Sequence, residues 1–218
     1  MDTDEFVETY MRELAKKAAG LGYKAEDVVP AVWSGTKAMQ LNDGTVTNRE
    51  RFWPIFNEKL GITEDIEPFF DDFYRNEFNR TKQMMKPSSA PRELLDVIRS
   101  RGFTLVLATN LLFPLTAVET RLGWIDATIG EFDYITTYEN SGFCKPNLEY
   151  YRELLRVIGK VPTQCLMAGN SVQEDMCAAQ LGMEVFLVNE FVENKTEEDY
   201  SALRQGGLTE LAAFLKSL

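Results

Sequence analysis

The first 86 residues carry the hydrophobic pattern of a helical region. Apolar side chains recur at the spacing of one helix face at Phe6, Tyr10, Leu14 and Ala18. A second helical run covers residues 26–39. Thr47 and Glu50 have the spacing of a capping box, which predicts a helix that continues to Leu60. A fourth, aromatic-rich helix is predicted over residues 66–80.

A break at residues 87–91, rich in proline and serine, leads to a different pattern. The predicted strands are residues 103–108, 134–137, 165–168 and 184–188. The predicted helices are residues 92–101, 114–122, 147–158, 172–181 and 209–218. Strands that alternate with helices at this spacing predict a parallel sheet with right-handed crossovers. We therefore expect an α/β core with helices on both faces over residues 87–218, and an all-helical region over residues 1–86.

The composition of the chain excludes several kinds of catalytic site. Its 218 residues include no histidine, which excludes histidine general bases and Ser-His triads. The three cysteines, Cys144, Cys165 and Cys177, have no zinc-site spacing, and we expect them to be reduced. The formal net charge of −11 disfavours binding to nucleic acid. Hydrolysis would therefore depend on carboxylates, lysine, hydroxyls, amides or hard metal ions.

The sequence also predicts where the protein is found. The most apolar run, residues 103–118, is interrupted by polar residues and by Pro114, so we expect no membrane span. The acidic N-terminus, Met1 to Glu5, differs from the basic start of a signal peptide. We expect a cytoplasmic protein that does not bind membranes.

Polar residues follow three of the predicted strands, where ligands bind in parallel sheets. Thr109 and Asn110 follow the first strand, and Lys145 precedes the helix after the second. The third strand is followed by Asn170, Glu174 and Asp175. Each of these three sets of residues also has a structural alternative. The first set could form a plain turn with an asparagine cap, the second could be a solvated lysine, and the acids of the third could offset a helix dipole.

Taken together, these strand ends resemble motifs two, three and four of the haloacid dehalogenase (HAD) superfamily. Residues 136–140, 144–147 and 169–176 look like a bacterial group of HAD hydrolases. The resemblance implies a Rossmann-like core with a helical cap. It also implies that Thr109 and Asn110 bind the phosphoryl group and that Lys145 neutralises its charge. Asp175, with Glu174 and Asn170, would hold Mg²⁺.

The chain departs from this family in two places. It has no Asp-x-Asp-Gly-Thr motif, whose first aspartate attacks phosphorus in the family. Residues 42–46 imitate part of the motif but are read as a turn in the cap, and Asp2 and Asp4 have only its spacing. The family's metal-binding acid usually lies at the position of Asn170 or Ser171, and neither is an acid here.

The strand that carries the nucleophile in this family lies between the strands at 103–108 and 165–168. Without it, we expect a start-truncated chain with two sheet edges that associates as a homo-oligomer or borrows a strand. The resemblance implies a Mg²⁺-dependent phosphatase of a small phosphorylated metabolite that acts through an aspartyl-phosphate, inactive as written. An inactive binding or regulatory protein and a dehalogenase are the open alternatives.

Overall fold

The computed structural model describes residues 3–110 and 112–218, except for the side chains of Thr3 and Asp4. Asp2 and the Asp4 carboxylate therefore lie outside the described part of the chain. In chain order, the helices are α1 (Thr3–Ala19), α2 (Ala25–Gln40), α3 (Asn48–Leu60), α4 (Glu67–Arg75), α5 (Ala90–Ser100), α6 (Leu115–Gly123), α7 (Leu148–Ile158) and α8 (Leu208–Ser217). The strands are β1 (Val106–Leu107), β2 (Tyr134–Ile135), β3 (Leu166–Gly169), β4 (Glu184–Val188) and β5 (Gln205–Gly206). These parallel strands and helices confirm the predicted α/β class.

The chain divides into two compact units. The first contains Met1–Pro87, Thr109–Ile129 and Thr136–Cys144. The second contains Ser88–Ala108, Gly130–Ile135 and Lys145–Leu218. The first unit thus adds two later segments to the region predicted as the cap, and the division into residues 1–86 and 87–218 stays a prediction.

An aromatic core holds the first unit together. The face of α1 that the sequence predicts is buried, and Leu14 is only 1% exposed. Tyr10 packs against Phe73 and Phe78, which are both fully buried. Burial of each large apolar side chain contributes about 1.5–3 kcal/mol, so this cluster outweighs the modest propensity of its aromatic residues for helix.

Local signals set the ends of two helices in the first unit. The capping box at α3 is present, with the Glu50 N–H donating to Thr47 Oγ1 at 3.2 Å and Thr47 N donating to Glu50 Oε2 at 2.8 Å. The predicted helix over residues 66–80 is wrong in its second half. It ends at Arg75 because Asn76 leaves the helical region and donates its side-chain amide to the Asp72 carbonyl, and a 3₁₀ helix, Glu77–Met84, follows. Residues 44–46 form a bend, so the segment 42–46 is a local change of chain direction and not a buried strand.

The described strands of the second unit form two separate sheets. In one, β1 pairs with β2, and in the other the order is β3-β4-β5. The first predicted strand, residues 103–108, is reduced to Val106–Leu107. No described strand joins β1 to β3, the two strands between which the family resemblance places the strand that carries the nucleophile. Both are edge strands, so each presents one side that a further strand can pair with.

The segment after β3 differs from its prediction. We expected a helix over residues 172–181, but the chain forms a turn followed by a short 3₁₀ helix, Met176–Leu181. Ser171 holds this turn, because its hydroxyl accepts the Glu174 N–H at 3.1 Å and its carbonyl accepts the Asp175 N–H at 3.0 Å. Such local bonds compete with helix formation. Among the described residues, no helix is both long and apolar enough to cross a membrane.

Candidate functional site

Lys145 is the centre of the candidate site in the second unit. Its side chain is only 5% exposed. The ammonium donates to Asp175 Oδ1 at 2.6 Å and to the carbonyl of Ala108 at 2.7 Å. Ala108 directly follows β1, and Asp175 belongs to the turn after β3. One buried cation therefore joins the carboxyl ends of two strands that belong to different sheets.

The Asp175 carboxylate is held on both of its oxygens. Oδ1 accepts from Lys145, and Oδ2 accepts from the backbone N–H of Ser171 at 3.0 Å. Gly169 makes room for this arrangement, since a Cβ at that position would lie 2.1 Å from Asp175 Oδ2. The glycine at the end of β3 is thus required by the close approach of the carboxylate.

Thr109 and Asn110 belong to the first unit, and Thr109 is fixed there by a partner that the sequence did not identify. Its hydroxyl donates to the Thr136 carbonyl at 2.8 Å, and its N–H donates to Thr136 Oγ1 at 2.9 Å. Thr136 directly follows β2, so its position at a strand end was the available signal. The paired threonines set the backbone that leads into Asn110.

The remaining predicted metal ligands point to protein partners. The Asn170 side-chain amide donates to the Phe191 carbonyl at 2.7 Å. Glu174 forms an ion pair with Lys195 at 3.6 Å. Among the side chains that the structure describes, which start at Glu5 and leave out Leu111, no three acidic or cysteine side chains lie close enough together to hold a metal ion. The structure thus gathers Lys145 and Asp175 but does not assemble Asp175, Glu174 and Asn170 into a metal-binding cluster.

Burial controls the other ionisable groups around this turn. It raises the pKa of the Tyr151 phenol well above its usual value, so the hydroxyl stays protonated and donates to the Glu174 carbonyl at 2.6 Å. Burial likewise raises the pKa of the Cys177 thiol, which disfavours the reactive thiolate. Tyr151 was not identified from the sequence, and its helical spacing in α7 indicated only a core residue.

Comparisons with known proteins give one curated relative and many similar structures. No family model matches the chain. Glyceraldehyde 3-phosphate phosphatase from Methanothermobacter thermautotrophicus is 36% identical over 127 residues, which are 57% of this chain and 53% of the relative. The chain therefore spans about half the length of this curated relative.

Three solved structures illustrate the likeness of fold. A HAD phosphatase from Thermococcus onnurineus has a TM-score of 0.58 at 15% identity and covers 97% of this chain and 91% of its own. CbbY from Rhodobacter sphaeroides in complex with phosphate has a TM-score of 0.56 at 16% identity, with 95% and 90% covered. L-2-haloacid dehalogenase from Xanthobacter autotrophicus has a TM-score of 0.55 at 12% identity, with 89% and 86% covered.

Proposed function

From the premise that this chain has the fold of the haloacid dehalogenase superfamily, we propose that it belongs to a phosphatase of a small phosphorylated metabolite. The observation that carries the proposal is the buried Lys145, held between the end of β1 and the turn after β3. A buried, fixed cation at the carboxyl ends of parallel strands suits the binding of a phosphoryl group. Glyceraldehyde 3-phosphate is the first substrate to test, because the curated relative is named for it.

The role of Lys145 follows from its hydrogen bonds. An ammonium group has three protons. Two of these protons are donated to Asp175 and to the Ala108 carbonyl. Among the described residues the third proton has no hydrogen-bond acceptor, so it can be donated to a phosphoryl oxygen. Asp175 is a positioning residue that holds the ammonium in place. Because the site is buried, the attraction between Lys145 and a phosphoryl oxygen is stronger than it would be in water.

For the first unit, we propose from the resemblance that Thr109 and Asn110 bind phosphoryl oxygen. In the structure the Thr109 hydroxyl donates to the Thr136 carbonyl, so it must exchange that acceptor to donate to a substrate. The Thr109 N–H stays bound to Thr136 during this change, which keeps the backbone in place. Thr136 is thus a positioning residue of the proposed site.

The residues present do not by themselves fit a magnesium site. Hard cations prefer several oxygen ligands. Asp175 uses both of its oxygens for Lys145 and Ser171, and Glu174 is paired with Lys195. Dependence on Mg²⁺ and an aspartyl-phosphate intermediate remain proposals from the resemblance, with Asp175 as the ligand to test. No nucleophile is assigned to a residue, because these 218 residues contain no Asp-x-Asp-Gly-Thr sequence.

A binding protein without catalysis is the second candidate. The observation that favours it is the single buried carboxylate at the site, already paired with Lys145. Such a protein would bind a phosphorylated ligand through the lysine without cleaving it. The dehalogenase alternative rests on likeness of fold alone, since the structures of that class are 12–13% identical to this chain.

The test is phosphate release from glyceraldehyde 3-phosphate by the 218-residue chain and by a variant extended at its N-terminus. The extension is an apolar strand that ends in Asp-x-Asp-Gly-Thr. We expect release by the extended variant and loss of release with Lys145→Gln, checked for native circular dichroism. Release should be unchanged with Lys160→Gln, at an exposed lysine of the same unit. Parallel reactions contain a chelator, and a set with chloropropionate measures halide release.

Each outcome assigns one function. Release that needs Lys145 and stops with the chelator supports the phosphatase and its metal. Release that continues with the chelator retains the phosphatase and overturns the metal. Halide release with the chelator present overturns the phosphatase in favour of the dehalogenase. A folded, extended variant that binds phosphate but releases none overturns it in favour of the binding protein.

A further inference from the structure

A cavity of about 100 Å³ lies within the first unit, apart from the residues assigned above to phosphate. Its walls are mainly apolar, and the aromatic residues among them include Tyr10, Trp53, Phe70 and Tyr74. Trp33 also lines it and is 49% exposed, whereas Phe70 is 5% exposed, so the cavity runs from the surface towards the core. One water occupies about 30 Å³ of liquid, so the cavity has room for roughly three to four groups of that size.

The charged groups of the cavity are acidic. Two acidic residues line it, Glu67 and Asp71, and no lysine or arginine is among the described residues of its lining. Glu67 is neutralised by Arg49, whose Nε donates to it at 2.7 Å, and Tyr138 donates to it at 2.8 Å. Burial raises the pKa of Glu67, but these bonds outweigh it and hold that pKa below its usual value.

Asp71 has a different environment. It accepts the Thr116 hydroxyl at 2.7 Å, and no ion pair to it occurs among the described residues. Asp71 is partly buried and lines the cavity, so its charge is weakly screened by water. The neighbouring Asp72 differs, because it is paired with Lys17 at 2.6 Å and does not line the cavity.

Two of the tyrosines that line the same cavity are hydrogen-bonded to each other. Tyr10 and Tyr74 share a hydrogen bond of 2.9 Å between their oxygens. Burial raises the pKa of Tyr10 to about 12, so the phenol keeps its proton at neutral pH. Only one proton can occupy the shared bond, and the oxygens still have lone pairs that can accept from a ligand.

We propose that this cavity binds a small organic cation, an alkylammonium group, with its charge at Asp71 and its alkyl part against the aromatic rings. Aromatic faces attract cations, and the attraction grows when water is excluded. An anion would be repelled by Asp71, which has no basic partner among the described residues. A neutral alcohol would lack the ionic attraction to Asp71. The proposal does not depend on phosphatase activity, since the cavity shares no residue with the assigned phosphate site.

The test is titration of the full 218-residue chain with three probes of matched shape: propylammonium, 1-propanol and propionate. Backbone NMR shifts locate the binding, and calorimetry at constant ionic strength gives the affinities. We expect shifts at the residues that line the cavity and an affinity for propylammonium at least about tenfold above that for 1-propanol. Equal affinities for the two probes, or shifts confined to other regions, would overturn the proposal.

A matched pair of variants tests whether Asp71 provides the charge that attracts the cationic ligand. Asp71→Asn and Asp72→Asn change the net charge by the same amount on adjacent residues of α4. We expect Asp71→Asn to remove the preference for propylammonium and Asp72→Asn to keep it. Retention of the preference in Asp71→Asn would overturn the assignment. If Asp71→Asn does not fold, the probe series on the unmodified chain still decides the outcome.

Discussion

Removal of the Lys145 ammonium by Lys145→Met should destabilise the second unit strongly. The variant keeps a long apolar side chain but deletes two hydrogen bonds, at 2.6 Å to Asp175 and at 2.7 Å to the Ala108 carbonyl. The side chains of Lys145 and Asp175 are 5% and 9% exposed, so water cannot replace the lost partner. Breaking a buried ion pair from one side costs about 3–5 kcal/mol.

The expected loss is large compared with a typical unfolding free energy of about 5–15 kcal/mol. Urea unfolding followed by far-ultraviolet circular dichroism measures it, and we expect the midpoint to fall by about 1–2 M. Fluorescence is a poorer probe, because all three tryptophans lie in the first unit. Hydrogen exchange of the β3 and β4 amides provides an independent measure of the same unit.

Two further variants separate charge from packing. Lys160→Met changes an exposed lysine of the same unit and should shift the free energy by no more than about 0.5 kcal/mol. Adding Asp175→Asn to Lys145→Met removes the uncompensated charge and should recover part of the loss. The reasoning is refuted if Lys145→Met unfolds at the same urea concentration as Lys160→Met.

Three other predictions concern smaller features. Gly169→Ala should clearly lower the urea midpoint, because its Cβ would lie 2.1 Å from the Asp175 carboxylate, which is fixed by hydrogen bonds. Gly130→Ala places its Cβ in open space and should leave the midpoint unchanged. Equal midpoints in the two variants would contradict this prediction. Thr47→Ala should cost about 1 kcal/mol in the same assay by removing the cap of α3, and an unchanged midpoint would show that the cap is unimportant. Hydrogen bonds from Lys16 and Arg80 lower the pKa of Glu13 from 4.5 to about 2. The ionised Glu13 therefore stabilises the protein above pH 4.5, and this stability is lost as the pH falls towards 2. The unfolding free energies of the chain and of Glu13→Gln, measured from pH 6 to pH 2, should therefore converge at low pH, and a constant difference would rule this out.

The sequence predicted the elements whose signals are local. The face of α1 and the capping box of α3 depend on spacings within one helix, and both are present. Lys145 and Asp175 were chosen because each lies in a segment that follows a strand, and their ion pair brings them together. Thr109 was chosen in the same way, but its pairing with Thr136 depends on the register of β1 and β2, which no local pattern specifies.

The errors have a shared physical cause in contacts between distant residues. The run at 172–181 has helical periodicity, but Asp175 turns towards Lys145 and Ser171, and the chain forms a turn and a 3₁₀ helix instead. The run at 103–108 is apolar at every position but Thr104, yet only two of its residues pair with β2. A strand exists only where a partner strand is present, and the sequence of one strand does not show how much of it is paired.

Binding of inorganic phosphate is the most direct test of the proposed site. Isothermal titration of the 218-residue chain should show one phosphate per chain, and Lys145→Gln, checked for native circular dichroism, should bind at least about tenfold more weakly. Lys160→Gln should bind as the unmodified chain does. Absence of phosphate binding, or equal affinity in the folded Lys145→Gln variant, would contradict the assignment of Lys145 as the phosphate-binding cation.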